Sequence, residues 1–442
     1  MQSRIPFLTA VLSVAMAFPA AAESLSDIYA AARQSDPRYL ATRAEFEATG
    51  FARTEARAGL LPQVAFNYSR TNTNQNILSS DNAVFARGTA TYPTNENTLS
   101  IVQPIFRLGA WRNWQQSKAS ERQAAAAYAA AEQDLIVRTA TAYMQVLAAQ
   151  DALRFSKSEG ESIKRQLELA TAKFKSGQSI RVNLYDAQAR VALKESDVLA
   201  AENDLADKRR GLFDLTGRIP AELEPVNREA ALLTPQPLNP EDWVQSSMEK
   251  NLLLEARQQA LEVAQQEIAK AKAAYYPTVD LLINRNQRTT GGSLFGGGSS
   301  VSTNDVMIRA NVPLYEGGAT QAGVGKASAR YTAAQQDLER DRRMVDRQAR
   351  AAYAGVVSGV ARIGALNQSV QALESARQLK EEGYRAGLTT ILGVLDSERD
   401  LYAVRRDASQ ARYDYQLNML RLKQAAGTLN EGDLAELTRP AP

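Results

Sequence analysis

The sequence predicts a mainly α-helical chain that also contributes four short strands to a membrane β-barrel. Three observations lead to this fold class. Landmarks of the first half recur in the same order in the second half, which indicates a tandem internal duplication. Each half contains a very long segment that is rich in Ala, Gln, Glu, Lys and Arg and almost free of proline, at residues 109–177 and 318–387. Each half also contains two short segments in which apolar and polar residues alternate, as they do in β-strands.

The duplication rests on paired landmarks whose residue numbers differ by a nearly constant offset. The paired landmarks are Pro62 and Pro277, Pro104 and Pro313, Gly177 and Gly387, and Gly217 and Gly427. A proline-rich stretch separates the two copies, as is typical of a linker. We predict a first repeat over residues 23–230, a linker over 231–240, a second repeat over 241–435 and a C-terminal tail over 436–442.

The N-terminus has the features of an export signal. Arg4 precedes a largely apolar run over residues 7–17, and three alanines precede Glu23, which is a pattern typical of a signal-peptide cleavage site. The apolar run is shorter than the ~20 residues that span a bilayer. We predict a signal peptide over residues 1–22 and an exported mature chain that begins at Glu23.

The composition excludes most enzymatic chemistry. The chain has no Cys and no His, so it cannot form disulfides, a lipidated cysteine, a His-ligated zinc site or a catalytic relay that needs either residue. Carboxylate chemistry such as that of a glycosidase remains an alternative, but the sequence shows no paired acidic motif on a compact domain. We expect no enzymatic activity and no cofactor. The 52 Lys and Arg residues nearly balance the 49 Asp and Glu residues, which gives no case for nucleic-acid binding.

The alternating segments predict strands with one apolar face. The apolar positions are Val64, Phe66 and Tyr68, then Leu99, Ile101 and Ile105, then Val279, Leu281 and Ile283, and finally Val306, Ile308, Ala310, Val312 and Leu314. Polar stretches over residues 71–97 and 289–303 are expected to be long exposed loops. A soluble antiparallel sheet with one wet face would alternate in the same way, so the strands alone do not establish a membrane protein.

The helical segments are too long for a globular domain. At ~1.5 Å per residue, a helix of about 70 residues spans on the order of 100 Å, whereas globular helices average ~11 to 12 residues. We predict that each long helix turns at a glycine, Gly177 or Gly387, and returns as a shorter helix. The predicted return helices cover residues 180–215 and 390–425, and shorter helices at the start of the repeats cover 25–59 and 240–274. A free-standing coiled-coil spacer is the alternative on helix content alone.

Membrane insertion would require more than one copy of the chain. No part of the mature chain approaches the ~18 consecutive apolar residues of a transmembrane helix, so the strands would have to cross the membrane. Known membrane barrels begin at about eight strands, and four strands cannot close alone. Three copies would supply twelve strands, an even number consistent with a barrel, together with twelve long helical rods.

Several motifs carry a resemblance that covers essentially the whole mature chain. They are Ser35-Asp36-Pro37, residues 56–62, residues 103–106, Lys173 to Gly177, Val312 to Gly318, Gly383 to Gly387 with Val394-Leu395-Asp396, Ala411 to Tyr415 and Gly427 to Leu434. In these motifs the chain resembles the TolC family of outer-membrane efflux and type I secretion channels.

The resemblance implies a homotrimer in outer-membrane lipid, with a 12-stranded β-barrel continuous with an α-helical barrel in the periplasm. It also implies a passive duct whose entrance, at the hairpin tips, opens when a periplasmic adaptor protein and an inner-membrane transporter of the RND or ABC class dock. The cargo is not identified, although the resemblance slightly favours type I protein secretion with shared drug efflux. A periplasmic coiled-coil adaptor or scaffold is the alternative function, and the four alternating strands argue against it.

The resemblance also assigns roles at the tips. It places Asp396 in a threefold carboxylate ring that lines the entrance and attracts cations, and Gly393 occupies the second acidic position of that ring, so we expect weaker cation selectivity. Tyr384 matches a gate tyrosine. Asn183 and Thr389 stand where the family has an acid and an arginine, so the charged gate contacts of the family cannot form here.

Two further pairs of tip residues are candidates. Arg181 and Asp186 lie near enough in the sequence to replace the missing gate contacts. Gly177 and Gly387 are expected to be required by the backbone of tight turns, with adaptor docking as a second role. The structural alternatives are that Asp396 is a solvated helix carboxylate and that Tyr384 is a coiled-coil packing residue.

Overall fold

The computed structural model describes residues 22–79, 88–226, 232–292 and 297–438. The predicted signal peptide up to residue 21 and the last four residues of the predicted tail lie outside the described residues. The described chain is mainly helical and contains one four-stranded antiparallel sheet, as the sequence predicts.

The same order of elements occurs twice, which confirms the duplicated architecture. In the first half the elements are α1 (Leu25–Ser35), α2 (Pro37–Ala58), β1 (Gln63–Ile77), β2 (Gly88–Arg107), α3 (Leu108–Lys175) and α4 (Arg181–Thr216). In the second half they are α5 (Pro240–Lys250), α6 (Leu252–Lys272), a short 3-10 helix (Ala273–Tyr275), β3 (Thr278–Thr290), β4 (Ser299–Asn311), α7 (Ala319–Arg385), α8 (Ile391–Ala425) and α9 (Gly432–Thr438).

The chain folds into two compact units. One unit comprises the described residues of Met1–Leu40, Glu132–Ser247 and Gln348–Pro442, and it contains the hairpin tips. The other comprises the described residues of Ala41–Ala131 and Met248–Arg347, and it contains the sheet. Pro240, the last residue of the predicted linker, begins α5, and α9 runs through residue 435, where the predicted second repeat ends. A proline is well tolerated in the first turn of a helix, where its missing N–H would have no helical partner.

Each of the two shorter helices predicted at the start of the repeats is broken in two. Pro37 lacks an N–H and disfavours helical backbone at Asp36, whose ψ of 115° ends α1. The Asp36 carboxylate then accepts the N–H of Tyr39 at 2.7 Å. In the second repeat Asn251, with a ψ of 122°, accepts the N–H groups of Leu253 and Leu254. Both breaks are helix N-caps, which the predicted single helices over 25–59 and 240–274 did not include.

The sheet presents an apolar face that this chain leaves exposed. Its order is β1-β2-β3-β4, and Val64, Ile101, Ile283 and Val306 form one row across all four strands. The Val306 side chain is 74% exposed. A register shift between Pro104 and Phe106 leaves Ile105 unpaired and sets Phe106 opposite Val279, so the bulge adds Phe106 to this face.

The predicted long loops are largely strand. Residues 71–77 and 88–97 extend β1 and β2, while residues 289–290 and 299–303 extend β3 and β4. Polar side chains pair across these extensions: the Tyr92 hydroxyl donates to Gln75 at 3.0 Å, and the hydroxyls of Thr94 and Thr290 lie 3.0 Å apart. Threonine favours strands, and backbone pairing does not depend on side-chain polarity. Of the remaining connections, residues 80–87 and 293–296 lie outside the described residues.

The predicted helical hairpins are confirmed to within two residues at each end. The return helix α8 buries apolar side chains along its whole length, from Ile391 and Val394 to Leu420 and Leu422. Glycine permits a close approach between α7 and α8: a Cβ at Gly355 would lie 2.7 Å from the Asn418 side chain of α8. Among the described helices, none has an apolar stretch that is long enough to cross a membrane.

Candidate functional site

The two hairpin tips have the same backbone. Gly177 and Gly387 have φ angles of 76° and 80°, in the left-handed region that favours glycine. The N–H of Gly177 bonds the carbonyl of Phe174, and the N–H of the following residue bonds that of Lys173. Gly387 and its neighbour make the same two bonds in the second repeat, to Tyr384 and Gly383. The sequence prediction of tight glycine turns is therefore confirmed in both repeats, as Schellman motifs.

An apolar cluster joins the two hairpins just above these turns. It contains one or more residues from each of the four helices: Ile163 and Ala170 of α3, Ala187 of α4, Tyr384 of α7, and Ile391, Val394 and Leu395 of α8. The small side chains of the two alanines let neighbouring helices approach closely. The tip of one chain is thus a packed four-helix unit, and Tyr384 is one of its packing residues.

The Tyr384 ring is buried, and Lys173 contacts both the ring and the backbone carbonyl of this residue. Its side chain is only 4% exposed, and its hydroxyl has no hydrogen-bond partner among the described residues. Asn183, the predicted partner position, instead donates to the Ser179 hydroxyl at 3.0 Å. The Lys173 ammonium lies 4.2 Å from the Tyr384 ring centroid and donates to the Tyr384 carbonyl at 2.5 Å. Burial raises the pKa of Tyr384, so the phenol stays neutral.

Asp396 is already engaged in an ion pair. Its Oδ1 accepts from Arg190 Nη2 at 2.6 Å and lies 3.5 Å from Arg399. Arg190 lies on α4 and Asp396 on α8, so the pair joins the two hairpins. The other predicted ring position, Gly393, donates its N–H to the Thr390 hydroxyl at 3.2 Å, which caps α8. In one chain, Asp396 is a carboxylate neutralised by arginine.

A buried polar layer lies above the apolar cluster. Glu398 is fully buried, accepts the Ser162 hydroxyl at 2.7 Å and lies 3.2 Å from Arg377. Glu159 pairs with Lys194 at 2.5 Å, and burial raises its pKa despite this partner. Sequence reasoning missed this layer, because nothing in the sequence distinguishes these glutamates from the solvated ones around them.

Neither Arg181 nor Asp186 forms a hydrogen bond or ring contact with Tyr384 within the described residues. The Arg181 guanidinium lies 5.9 Å from the Phe174 ring, and Asp186 makes no ion pair or hydrogen bond within the described part of the chain. The structure brings Lys173 to Tyr384 and Arg190 to Asp396 instead. Within the described residues, no group of three acidic side chains could hold a metal ion.

The family model described as outer membrane efflux protein matches residues 28–218 and 243–428, and the chain belongs to this family. It is an outer-membrane protein that serves as an exit duct of efflux or type I secretion systems.

Individual relatives agree with this assignment. The chain is 32% identical to outer membrane protein TolC of Vibrio cholerae over 94% of this chain and 93% of that protein. It is 27% identical to the alkaline protease secretion protein AprF of Pseudomonas aeruginosa, over 93% and 85% of the two chains. The fold is similar to the CmeC outer membrane channel of Campylobacter jejuni, with a TM-score of 0.80 at 14% identity over 94% of this chain and 89% of that one.

Proposed function

We propose that three copies of this chain close into one passive duct, whose periplasmic entrance is the ring of hairpin tips. The sheet is the observation that carries the proposal. β1 and β4 are its two edges, and an open edge of this length invites pairing with another chain. Joining β4 of one copy to β1 of the next gives twelve strands, which is enough to close a barrel, and turns the exposed apolar face toward lipid.

The repeats set the organisation of this duct. We assign residues 1–22 to the export signal, residues 23–230 and 241–435 to the two repeats, residues 231–240 to their linker, and residues 436–442 to the tail. Each repeat supplies two strands and one hairpin. Three duplicated chains therefore surround the axis with six similar hairpins.

A periplasmic adaptor and an inner-membrane transporter of the RND or ABC class are the partners we propose. The turns at Gly177 and Gly387 suit adaptor docking, because an exposed apolar residue comes shortly after each glycine in the sequence. Leu388 is 85% exposed, and Ile180 is also exposed. The duct performs no covalent chemistry, and the transporter supplies the energy and selects the cargo. The secretion relative AprF supports a protein cargo.

The gate is the packed tip, with contacts that differ from those the family resemblance implies. Tyr384 contributes its ring to the apolar cluster, and Lys173 links α3 to the C-terminal end of α7. Arg190 supplies a further link between the two hairpins, since it pairs with Asp396. With Asp396 neutralised and Gly393 uncharged, the entrance should have only weak cation preference.

Fractionation and cross-linking test the trimeric duct. The mature chain is expected in the outer-membrane fraction, resistant to high salt, and an amine-reactive cross-linker should give a ladder that stops at three copies. A chain released from membranes by salt, or a ladder that stops at one, would contradict the proposal.

A further inference from the structure

The four strands carry eight charged residues, and these divide unevenly between the two faces of the sheet. Successive side chains of a strand point to opposite faces, so the register assigns each residue to a face. The face opposite the apolar face has three acidic and three basic residues: Glu96, Asp280, Asp305, Arg107, Arg288 and Arg309. The apolar face has Arg70 of β1 and Arg285 of β3, and it has no acidic residue.

The charges of the opposite face are paired across strands. Glu96 lies opposite Arg288, and Asp280 lies opposite Arg309. Arg107 also donates two hydrogen bonds of 2.8 Å to the Asp280 carboxylate. Opposite charges on neighbouring strands stabilise a sheet. Five of the six charged residues on this face therefore have an opposite charge beside them in the same chain.

The two arginines of the apolar face have no such neighbour. Asn95 lies opposite Arg70, while Arg285 lies between Leu99 and Asn304. Both arginines are exposed, and neither forms an ion pair or a hydrogen bond with another residue in the described part of the chain. A guanidinium offers N–H donors in a planar fork that fits the oxygens of a phosphate group. These two guanidinium groups can therefore bind an anion from outside the chain.

Each arginine lies where the apolar part of its strand ends. The apolar residues that precede them on this face are Val64, Phe66 and Tyr68 on β1, and Val279, Leu281 and Ile283 on β3. The next residues on the same face, Asn72 after Arg70 and Gln287 after Arg285, are polar. A lipid-facing arginine is costly at the midplane of a bilayer and costs little near its interface. The arginines thus mark the level at which the lipid-facing surface reaches the headgroups.

The two arginines lie on different rows of the sheet but near one membrane level. Arg70 lies opposite Asn95, which lies opposite Thr289, four residues beyond Arg285. Strands of membrane barrels tilt by about 35–45°, so one level crosses successive strands at positions roughly one residue apart. Across the two steps from β1 to β3, the tilt accounts for about two of those four residues. The long arginine side chain, which extends toward the headgroups, spans the remainder.

We infer that Arg70 and Arg285 bind phosphate groups of lipid headgroups in the outer leaflet. This inference rests on the proposed trimeric duct, which turns the apolar face toward lipid. The helices join the strands at the end of the sheet away from these arginines, so with the helices in the periplasm the arginines are at the outer leaflet. Exposed basic residues at a membrane surface attract anionic headgroups. Three copies present six such arginines around the barrel.

A matched pair of lipids tests this inference. The full mature chain in detergent micelles is mixed with a bisphosphorylated lipid A or with the same glycolipid without its phosphates, and bound lipid is counted by native mass spectrometry. The natural sequence should bind the phosphorylated form at least roughly tenfold more tightly. Millimolar inorganic phosphate should not displace the lipid, and displacement would overturn the inference by showing a site for free phosphate.

Two double variants locate the site. Arg70→Gln with Arg285→Gln removes both arginines of the apolar face and should abolish the preference for phosphorylated lipid. Arg288→Gln with Arg309→Gln removes the same charge from the opposite face of the sheet and should leave the preference unchanged. Equal preference in all three chains, or an equal loss in both variants, would overturn the inference.

Assembly is checked in each chain with an amine-reactive cross-linker. If the first double variant gives no trimers, Arg70→Gln and Arg285→Gln are measured singly, and two assembled single variants with the natural preference would overturn the inference. A natural sequence that gives trimers but binds both lipids equally would also overturn it and would leave the duct intact. A natural sequence that gives no trimers and does not enter membranes would overturn the proposed function itself.

Discussion

At Tyr384 the ring and the hydroxyl have different surroundings. Its ring fills the cluster between four helices, while its hydroxyl is buried without a partner among the described residues. A buried hydroxyl without a partner does not stabilise the fold and costs desolvation free energy. The residue type at this position is therefore required for its ring, and the hydroxyl that the family resemblance made important has no role in this chain's contacts.

Two substitutions at Tyr384 should have very different effects on the free energy of unfolding. Tyr384→Phe keeps the ring and removes the unpartnered hydroxyl, so it should leave the free energy of unfolding unchanged or raise it by about 1 kcal/mol. Tyr384→Ala removes the ring and leaves a cavity in the cluster, so it should lower the free energy of unfolding by about 3–5 kcal/mol. Denaturant unfolding of the detergent-solubilised protein, followed by helical circular dichroism, measures both. Equal destabilisation by the two variants would show that the hydroxyl has a partner after all.

Glu159 should make the tip sensitive to pH in a defined direction. Burial raises its pKa above the usual 4.5 in the folded chain, so the folded state binds the proton more tightly than the unfolded state. Stability from this group is greatest below the unfolded pKa and falls as pH rises through the folded pKa.

Glu159→Gln mimics the protonated form and isolates this effect. The variant should match the natural chain near pH 4 and should be the more stable of the two at pH 7, because only the natural chain ionises there. Glu195→Gln, on the exposed side of α4, is the matched control and should show no such crossover. A Glu159→Gln variant that unfolds more readily than the natural chain at pH 7 would mean that the ion pair with Lys194 outweighs burial.

At the scale of elements, the turns are the features that the sequence predicted best. A glycine at Gly177 and at Gly387, each followed by a helical segment, predicted both turns and the helix ends within two residues. Local signals sufficed there, because a left-handed residue is a local requirement. The breaks at Asp36 and Asn251 were missed, since the helical composition on both sides hid the caps.

The strand lengths and the tip contacts were not predictable in the same way. Polar Thr and Asn residues in β1 to β4 suggested loops, but the two halves of each predicted loop pair with each other as a hairpin. Distance along the sequence hid the tip contacts. Arg190 and Asp396 are 206 residues apart, and only the folded hairpins bring them together, so sequence proximity suggested Arg181 and Asp186 instead.

Alanine substitutions of the turn glycines measure how much their left-handed backbone contributes to stability. A Cβ at Gly177 or Gly387 would meet nothing within 4 Å, so each alanine variant carries only the cost of left-handed backbone, about 1 kcal/mol or slightly more. Thermal unfolding should show similar losses for both. Gly323→Ala in α7 is the control: it also meets nothing within 4 Å, and it should stabilise by up to about 1 kcal/mol. A large loss at only one tip would indicate unequal turns.

At the scale of the whole molecule, the duplicated chain satisfies its own contacts at the tip but not at its sheet. Each chain is internally complete at the tip, with an apolar cluster and three polar contacts. Each chain is incomplete at its sheet, where two edges and an apolar face remain open. The open sheet edges are therefore the part of the chain at which further copies are expected to join.

Single-channel recording of the reconstituted mature chain in a planar lipid bilayer, with reversal potentials, tests the gated duct most directly. The natural sequence should give small, discrete openings with weak cation preference. Arg190→Ala should strengthen that preference by removing the nearer of the two arginines at Asp396, and Asp396→Ala should abolish it. No openings from folded, membrane-inserted protein would contradict the duct, and equal selectivity in all three chains would remove Asp396 from its entrance.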